Sequence, residues 1–448
     1  MKLFTRRIIN LLIAAVVAIS SVSAQNPIIR NQFSADPTAR VFEGKVYLFP
    51  SHDILAQDGK GRAGWFCMED YHVFSSSNLT DWTDHGVVVS QETVPWANHQ
   101  GYAMWAPDCI EKNGKYYFYF PAPASDPSMG RGFAVGVAVA DKPSGPYTAL
   151  DQPIKGVRGI DPNVFIDSDG QAYLLWAARN FFIAKLKDNM TELATEPVAI
   201  DGLPEKGLKE GPFLFSRNGK YYLTYPHVAD STEQLEYAMS DSLFGPYHVT
   251  GVIMDASRTC WTNHQSIIQY HDQWYLFYHR NDLSPHFDKN RSVRIDSLFF
   301  NPDGTIRKVM PTLRGVGVTD ASSEIQIDRY SRKSDSGTSV EFIDTSNTFG
   351  GWETVFDAPN AWIQYNAVDF GNKGFKTVKI RTHSRSGGTL QIRLGNEKGP
   401  IIADINISNG DNWRTVNAPV TGLTSGIQNL VVQSKNGDEV SVDWLQFK

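Results

Sequence analysis

The chain has 448 residues, of which 20% are charged and 12% aromatic, and a net charge of −6. An acidic chain without a basic run argues against nucleic acid as a partner. Its three cysteines, Cys67, Cys109 and Cys260, show no CxxC or Cys/His spacing of a zinc site.

In chain order, the first element reads as a signal peptide over residues 1–24. Lys2, Arg6 and Arg7 form a basic start, Ile8 to Ile19 is almost wholly apolar, and Ser21-Val22-Ser23-Ala24 offers a small-residue cleavage site before Gln25. The apolar run is too short to span a membrane, and no other segment is apolar enough. The expectation is a secreted or periplasmic protein with no membrane span. One disulfide is compatible with such a compartment, but the sequence does not choose the pair.

Five times between residues 35 and 278 a polar motif leads through a small turn to an aromatic-rich strand. The motifs are Ala35-Asp36-Pro37-Thr38, Trp105-Ala106-Pro107-Asp108, Ile160-Asp161-Pro162-Asn163, Lys209-Glu210-Gly211-Pro212 and Asn263-His264-Gln265-Ser266. The turn centres Gly44, Gly114, Gly170, Gly219 and Asp272 lie 49 to 70 residues apart. Strand-rich repeats of roughly 40–50 residues or more are the signature of propeller blades. The reading is an all-β chain, with a five-bladed β-propeller over residues 25–318. Residues 319–448 follow as a β-sandwich of jelly-roll type. There, alternating runs such as Thr377-Val378-Lys379-Ile380-Arg381 are parted by glycine-rich turns.

Equivalent positions at the start of each innermost strand converge on one end of a propeller's axis. The repeat therefore gathers Asp36, Asp161 and Glu210, with Asp108 and His264 completing the ring. Clustered carboxyls suit glycoside hydrolysis, in which one acid protonates the leaving oxygen and a second carboxylate activates water or attacks. A third acid nearby raises its neighbour's pKa by like-charge repulsion. Asp108 sits in a frame shifted by two residues and reads as structural.

The motifs Ala35-Asp36-Pro37, Gly159-Ile160-Asp161-Pro162 and Lys209-Glu210-Gly211-Pro212 resemble, in that order, the signatures of glycoside hydrolase family 43. The resemblance covers about residues 26–318 and implies an inverting propeller enzyme. It makes Asp36 the general base, Glu210 the general acid and Asp161 the residue that tunes the acid. It places His264 beside an axial calcium or sodium ion, held through water, although a hydrogen-bonded core histidine reads equally well. Trp105 matches an aromatic wall of the sugar subsite, and Arg280 a substrate-side arginine. Ser51-His52-Asp53-Ile54 and Asp70-Tyr71-His72-Val73-Phe74 resemble the branch with β-xylosidase and α-L-arabinofuranosidase activity.

Residues 320–448 resemble carbohydrate-binding module family 6, through Ile325 to Tyr330, Trp362 to Phe370, Gly387 to Leu394 and Val442 to Phe447. That resemblance implies a structural calcium on Gln326, Asp328 and Asp443. In the module's sugar site Phe356 stands for one of two aromatics, while Gly410 and Ser441 replace the second aromatic and an asparagine. The expected function is hydrolysis of terminal β-D-xylosyl or α-L-arabinofuranosyl residues of plant cell-wall xylan fragments, with no organic cofactor. An exo-β-1,3-galactanase, an arabinanase and a catalytically silent glycan-binding propeller are the rivals.

Overall fold

A computed structural model describes residues 26–448, except 78, 80, 81, 127–131, 329, 331, 345–351 and 373. The expected signal peptide and Arg329 of the Ile325–Tyr330 motif lie outside the described residues. Among the described residues the only helical element is one short 3-10 turn, Gln91–Thr93, and no helix is long and apolar enough to cross a membrane.

Each repeat folds into a separate antiparallel sheet. The first comprises Ala35–Phe42, Lys45–Ser51, Asp70–Ser76 and Thr83–Ser90. Four more follow, opening on Asp108–Lys112, Ile160–Ile166, Phe213–Arg217 (with the short Leu208–Lys209 just before it on the same partner strand) and Ser266–Tyr270. In three repeats the residue before the turn glycine accepts positive φ as the glycine does: Glu43 (50°) with Gly44 (73°), Asn113 (55°) with Gly114 (74°), Asn218 (50°) with Gly219 (75°). Two successive positive-φ residues make the turn whose twist suits a tight hairpin.

The opening strands touch one another in a closed cycle, first to second and so on round to the first again. A polar contact stitches each step. Thr38 Oγ1 donates to Pro107 O (2.7 Å), Val164 N–H to Asp108 Oδ2 (2.6 Å) and Leu214 N–H to Asn163 Oδ1 (2.9 Å). Gln265 Nε2 donates to Gly211 O (2.9 Å), and Ala39 N–H to Ser266 Oγ (2.9 Å), which closes the ring. Apolar clusters fill the spaces between sheets, such as Phe49, Phe118 and Phe120 between the first two. The segment after Asn26 runs along the outer strand of the fifth sheet: Ile28 N–H bonds Val293 O and Asn26 Nδ2 bonds Ile295 O.

Residues from Thr319 onward form two six-stranded sheets packed face to face around Ile363, Ile380, Ile392, Leu430 and Leu445. Strand Thr377–Ser384 alternates buried and half-buried along its whole length, the period of a sheet with one face in a core. Phe356 is fully buried in that core. It therefore cannot be the sugar platform expected of it. Its strand register turns it inward, and an outward surface instead carries Trp413 and Trp444, with the Arg381 and Lys379 cations over them. All three cysteines are buried and free, so the one disulfide that the sequence left possible is not formed.

Candidate active site

Two of the five opening strands share a local irregularity. Asp36 has φ 45° and Asp161 has φ 55°, left-handed backbone that few non-glycine residues adopt. Both sit at a register shift, between Ala35 and Thr38 and opposite Leu175 to Ala177. A bulge of this kind re-aims one side chain, and here it delivers both carboxyls to a cavity on the axis. Asp108 pairs in regular register with Tyr119. Without the bulge it stays in the wall, where Arg40, Asn163 Nδ2 and Val164 N–H bond its carboxylate. Asp108 is structural, as its shifted frame suggests.

The cavity measures about 100 Å³ and is lined by Asp36, Asp161, Glu210, His264, Arg291, Thr262, Trp65, Phe66, Met68, Trp105, Ala106, Ile160 and Trp261. The three expected acids, His264 and Trp105 meet there. Asp36 is the most tightly held. Its Oδ1 accepts from Arg291 Nη1 (2.7 Å), its Oδ2 from Ser51 Oγ (2.8 Å), and its backbone N–H donates to His279 Nδ1 (3.1 Å). Burial by itself would raise its pKa. Arg291, His279, His264 and the Ser51 hydroxyl outweigh burial and leave the carboxyl below the usual range, hence ionised. Arg291 is in turn gripped by both oxygens of Asp53, at 2.9 Å each.

Glu210 is the reverse case. Burial first, then the nearby Asp36 charge, push its carboxyl up to about 7. Asp161 is raised well above the usual range by burial and by Glu210 and Asp36. Its Oδ2 accepts the N–H of Gly211 (2.8 Å), the residue after Glu210, and so fixes the backbone that carries the acid. One ionised and one protonated carboxyl across a cavity are the division of labour that glycoside hydrolysis requires.

Burial lowers His264 to about 4, so its imidazole is neutral near pH 7. A neutral ring nitrogen can accept a hydrogen bond from water on an axial ion; such an ion would add positive charge beside the carboxyls. Arg280 does not reach the cavity. Its Nη2 lies 3.0 Å from Met254 Sδ and its guanidinium rests over the Tyr278 ring. Strand alternation sends His279 toward Asp36 and Arg280 to the other side. The arginine that meets the site is Arg291.

Gln326, Asp328 and Asp443 are brought together on paired strands. Asp443 is already ion-paired with Arg381, and Arg30 of the propeller lies beside Asp328. With Arg381 already on one of its two carboxylates, the set does not fit calcium, which takes about six to eight oxygens. His52, Asp70 and His72 cluster away from the cavity, but both imidazoles are hydrogen-bonded, His52 to Asp70 and His72 to Asp84.

The sequence motifs assigned no site role to Arg291, Asp53, His279, Glu233 or the aromatic wall of Trp65, Phe66 and Trp261. None occupies the repeated frame; each enters from a second strand, a third strand or a loop. Among them Glu233 is fully buried, and Asn263 N–H bonds its Oε2 at 2.6 Å.

A propeller whose axial cavity sets an ionised carboxylate against a protonated acid, beneath an indole wall, defines a glycoside hydrolase. Residues 24–306 match the profile of Glycosyl hydrolases family 43, and the chain belongs to that family; residues 330–448 match Carbohydrate binding module (family 6). It is similar to Xylosidase/arabinosidase 43A of Humicola insolens, 37% identical over 62% of this chain and 98% of the relative. Arabinoxylan arabinofuranohydrolase of Paenibacillus polymyxa is 26% identical over 94% of this chain and 74% of the relative. Among solved structures it resembles CoXyl43, a GH43 beta-xylosidase/alpha-arabinofuranosidase from a compost microbial metagenome, seen with xylotriose in a calcium-free form. The identity is 34%, the TM-score 0.58, and the coverage 64% of this chain and 97% of that one.

Proposed function

We propose that the protein is an exported, inverting exo-glycosidase that removes terminal β-D-xylosyl or α-L-arabinofuranosyl residues from xylan and arabinoxylan fragments. The observation that carries this reading is the small axial cavity with Asp36 ionised and Glu210 raised to about 7. A cavity of about 100 Å³ suits one terminal sugar rather than a run of several. Xylopyranose and arabinofuranose can present similar hydroxyl positions, so one pocket accepts both. The relatives' activities support the same substrate class, and the apolar leader of residues 1–24 supports export.

In this mechanism the terminal sugar stacks on the indole wall. Glu210 gives its proton to the glycosidic oxygen as the bond to the anomeric carbon breaks. Water attacks that carbon from the opposite face, and Asp36 takes the water's proton. Asp161 holds Gly211, and through it Glu210, in place. Proton NMR of xylobiose hydrolysis tests this: α-xylose must appear first. First-formed β-xylose would reject inversion, and near-normal turnover by Asp36→Ala or Glu210→Ala would reject the residue roles.

A further inference from the structure

The cavity's acid has a neighbour that the mechanism above leaves unused. Glu233 opens strand Glu233–Ser240 of the fourth sheet and is fully buried. Its Oε2 is fixed by the Asn263 N–H at 2.6 Å, and its own N–H is fixed by Trp261 O at 3.0 Å. Oε1 has no well-aligned partner among the described residues, yet the Glu210 carboxyl lies within hydrogen-bonding reach of the Glu233 carboxyl. No arginine or lysine is bonded to Glu233 among the described residues; the titratable groups around it are the carboxyls of Glu210, Asp161 and Asp36. An ionised carboxylate there would be buried without a counter-charge, at a cost of several kcal/mol. Glu233 therefore keeps its proton, so it has an O–H to donate.

We propose that Glu233 is a positioning residue for the reaction: as a neutral acid it donates a hydrogen bond to Glu210 that strengthens as Glu210 gives up its proton. This rests on Glu210 being the general acid. While Glu210 is protonated, the bond joins two neutral groups. As the glycosidic C–O bond breaks, its electron pair goes to the leaving oxygen and the Glu210 proton follows. Glu210 becomes a carboxylate and the bond becomes charge-assisted, roughly twice as strong. The Glu233 proton stays where it is. An interaction stronger in the transition state than in the ground state lowers the barrier without tightening substrate binding. Gln at 233 can play the same part, with Oε1 accepting from Asn263 N–H and Nε2 donating to Glu210.

The test exploits leaving groups. An unactivated disaccharide needs its departing oxygen protonated, whereas 2,4-dinitrophenolate departs with little help. Glu233→Leu is expected to lower kcat on xylobiose by about tenfold to a hundredfold, with KM within about twofold, and kcat on 2,4-dinitrophenyl β-xyloside by no more than about threefold. Glu233→Gln is expected to recover most of the loss on xylobiose. Equal losses on both substrates, no loss on either, or a Gln variant as poor as Leu would overturn the proposal. Should Leu not fold at 233, Glu233→Asp, whose carboxyl falls one methylene short of Glu210, is compared on the same substrates; the same split is expected, and its absence overturns the proposal. Glu210→Ala serves as the reference. If it shows no split between substrates, the assignment of Glu210 as the acid is wrong; if it does and position 233 does not, only the role of Glu233 fails.

Discussion

Asp36 and Glu210 are chemically similar carboxyls driven apart by their surroundings. Arg291, two histidines and Ser51 hold Asp36 low, while burial and the Asp36 charge lift Glu210 to about 7. The pH dependence follows with a definite sign. kcat/KM is expected to fall as pH rises through about 7, because Glu210 then loses the proton it must donate. On the acid side it holds until pH drops below the ordinary carboxylate range, where Asp36 takes up a proton. A pH profile of Glu210→Gln on an activated aryl xyloside checks the assignment; an alkaline limb that survives this substitution contradicts it. At this scale the sequence was eloquent about Asp36, Asp161 and Glu210, because each stands in a repeated frame. It was silent about Arg291 and Glu233, which reach the cavity from outside that frame.

Among elements, the irregular positions do most to place the chemistry. Gly211 has φ 55°, and a Cβ there would lie 2.9 Å from His264 Cε1 and 3.0 Å from Pro226 Cδ. Gly211→Ala is expected to displace the His264 ring and the N–H that bonds Asp161, lowering kcat by at least about tenfold with a drop in Tm of a few degrees. Steady-state kinetics and a thermal melt measure both. Asp108 makes the opposite prediction. It ties three sheets together through Arg40, Asn163 and Val164 but does not line the cavity. Asp108→Ala leaves the partly buried Arg40 guanidinium without its fully buried carboxylate and is expected to cost about 3–5 kcal/mol. Denaturant unfolding should show that loss, while kcat of the folded fraction stays within about twofold. A large kcat defect at full stability would return Asp108 to the site. The shifted frame of Trp105-Ala106-Pro107-Asp108 made this difference readable beforehand. That the bulges at Asp36 and Asp161 are what turn those side chains inward was not readable, since a register shift exists only between paired strands.

For the whole molecule, the propeller and sandwich meet through a few polar contacts. Arg314 N–H bonds Tyr330 O (3.2 Å), Arg314 Nη2 bonds Ala367 O (3.3 Å), and Arg30 lies beside the buried Asp328. Every residue lining the cavity falls between Asp36 and Arg291. Ending the chain after residue 318 is therefore expected to lower Tm, yet to leave kcat and KM on small aryl glycosides within about threefold. Comparing a melt and kinetics of the truncated and full chains checks this; loss of activity in a truncated protein that still melts cooperatively would show that the sandwich shapes the site.

The amino-acid sequence by itself determined the strand repeats, their turns, the two-part organisation and the three acids, because period, turn chemistry and a recurring frame are local properties. Tertiary structure alone decided which arginine lines the cavity, that Phe356 is core rather than a sugar platform, and that Glu233 stands behind the acid. Those outcomes depend on which face of each strand turns inward and on what a distant strand brings beside it, and a linear reading does not contain either.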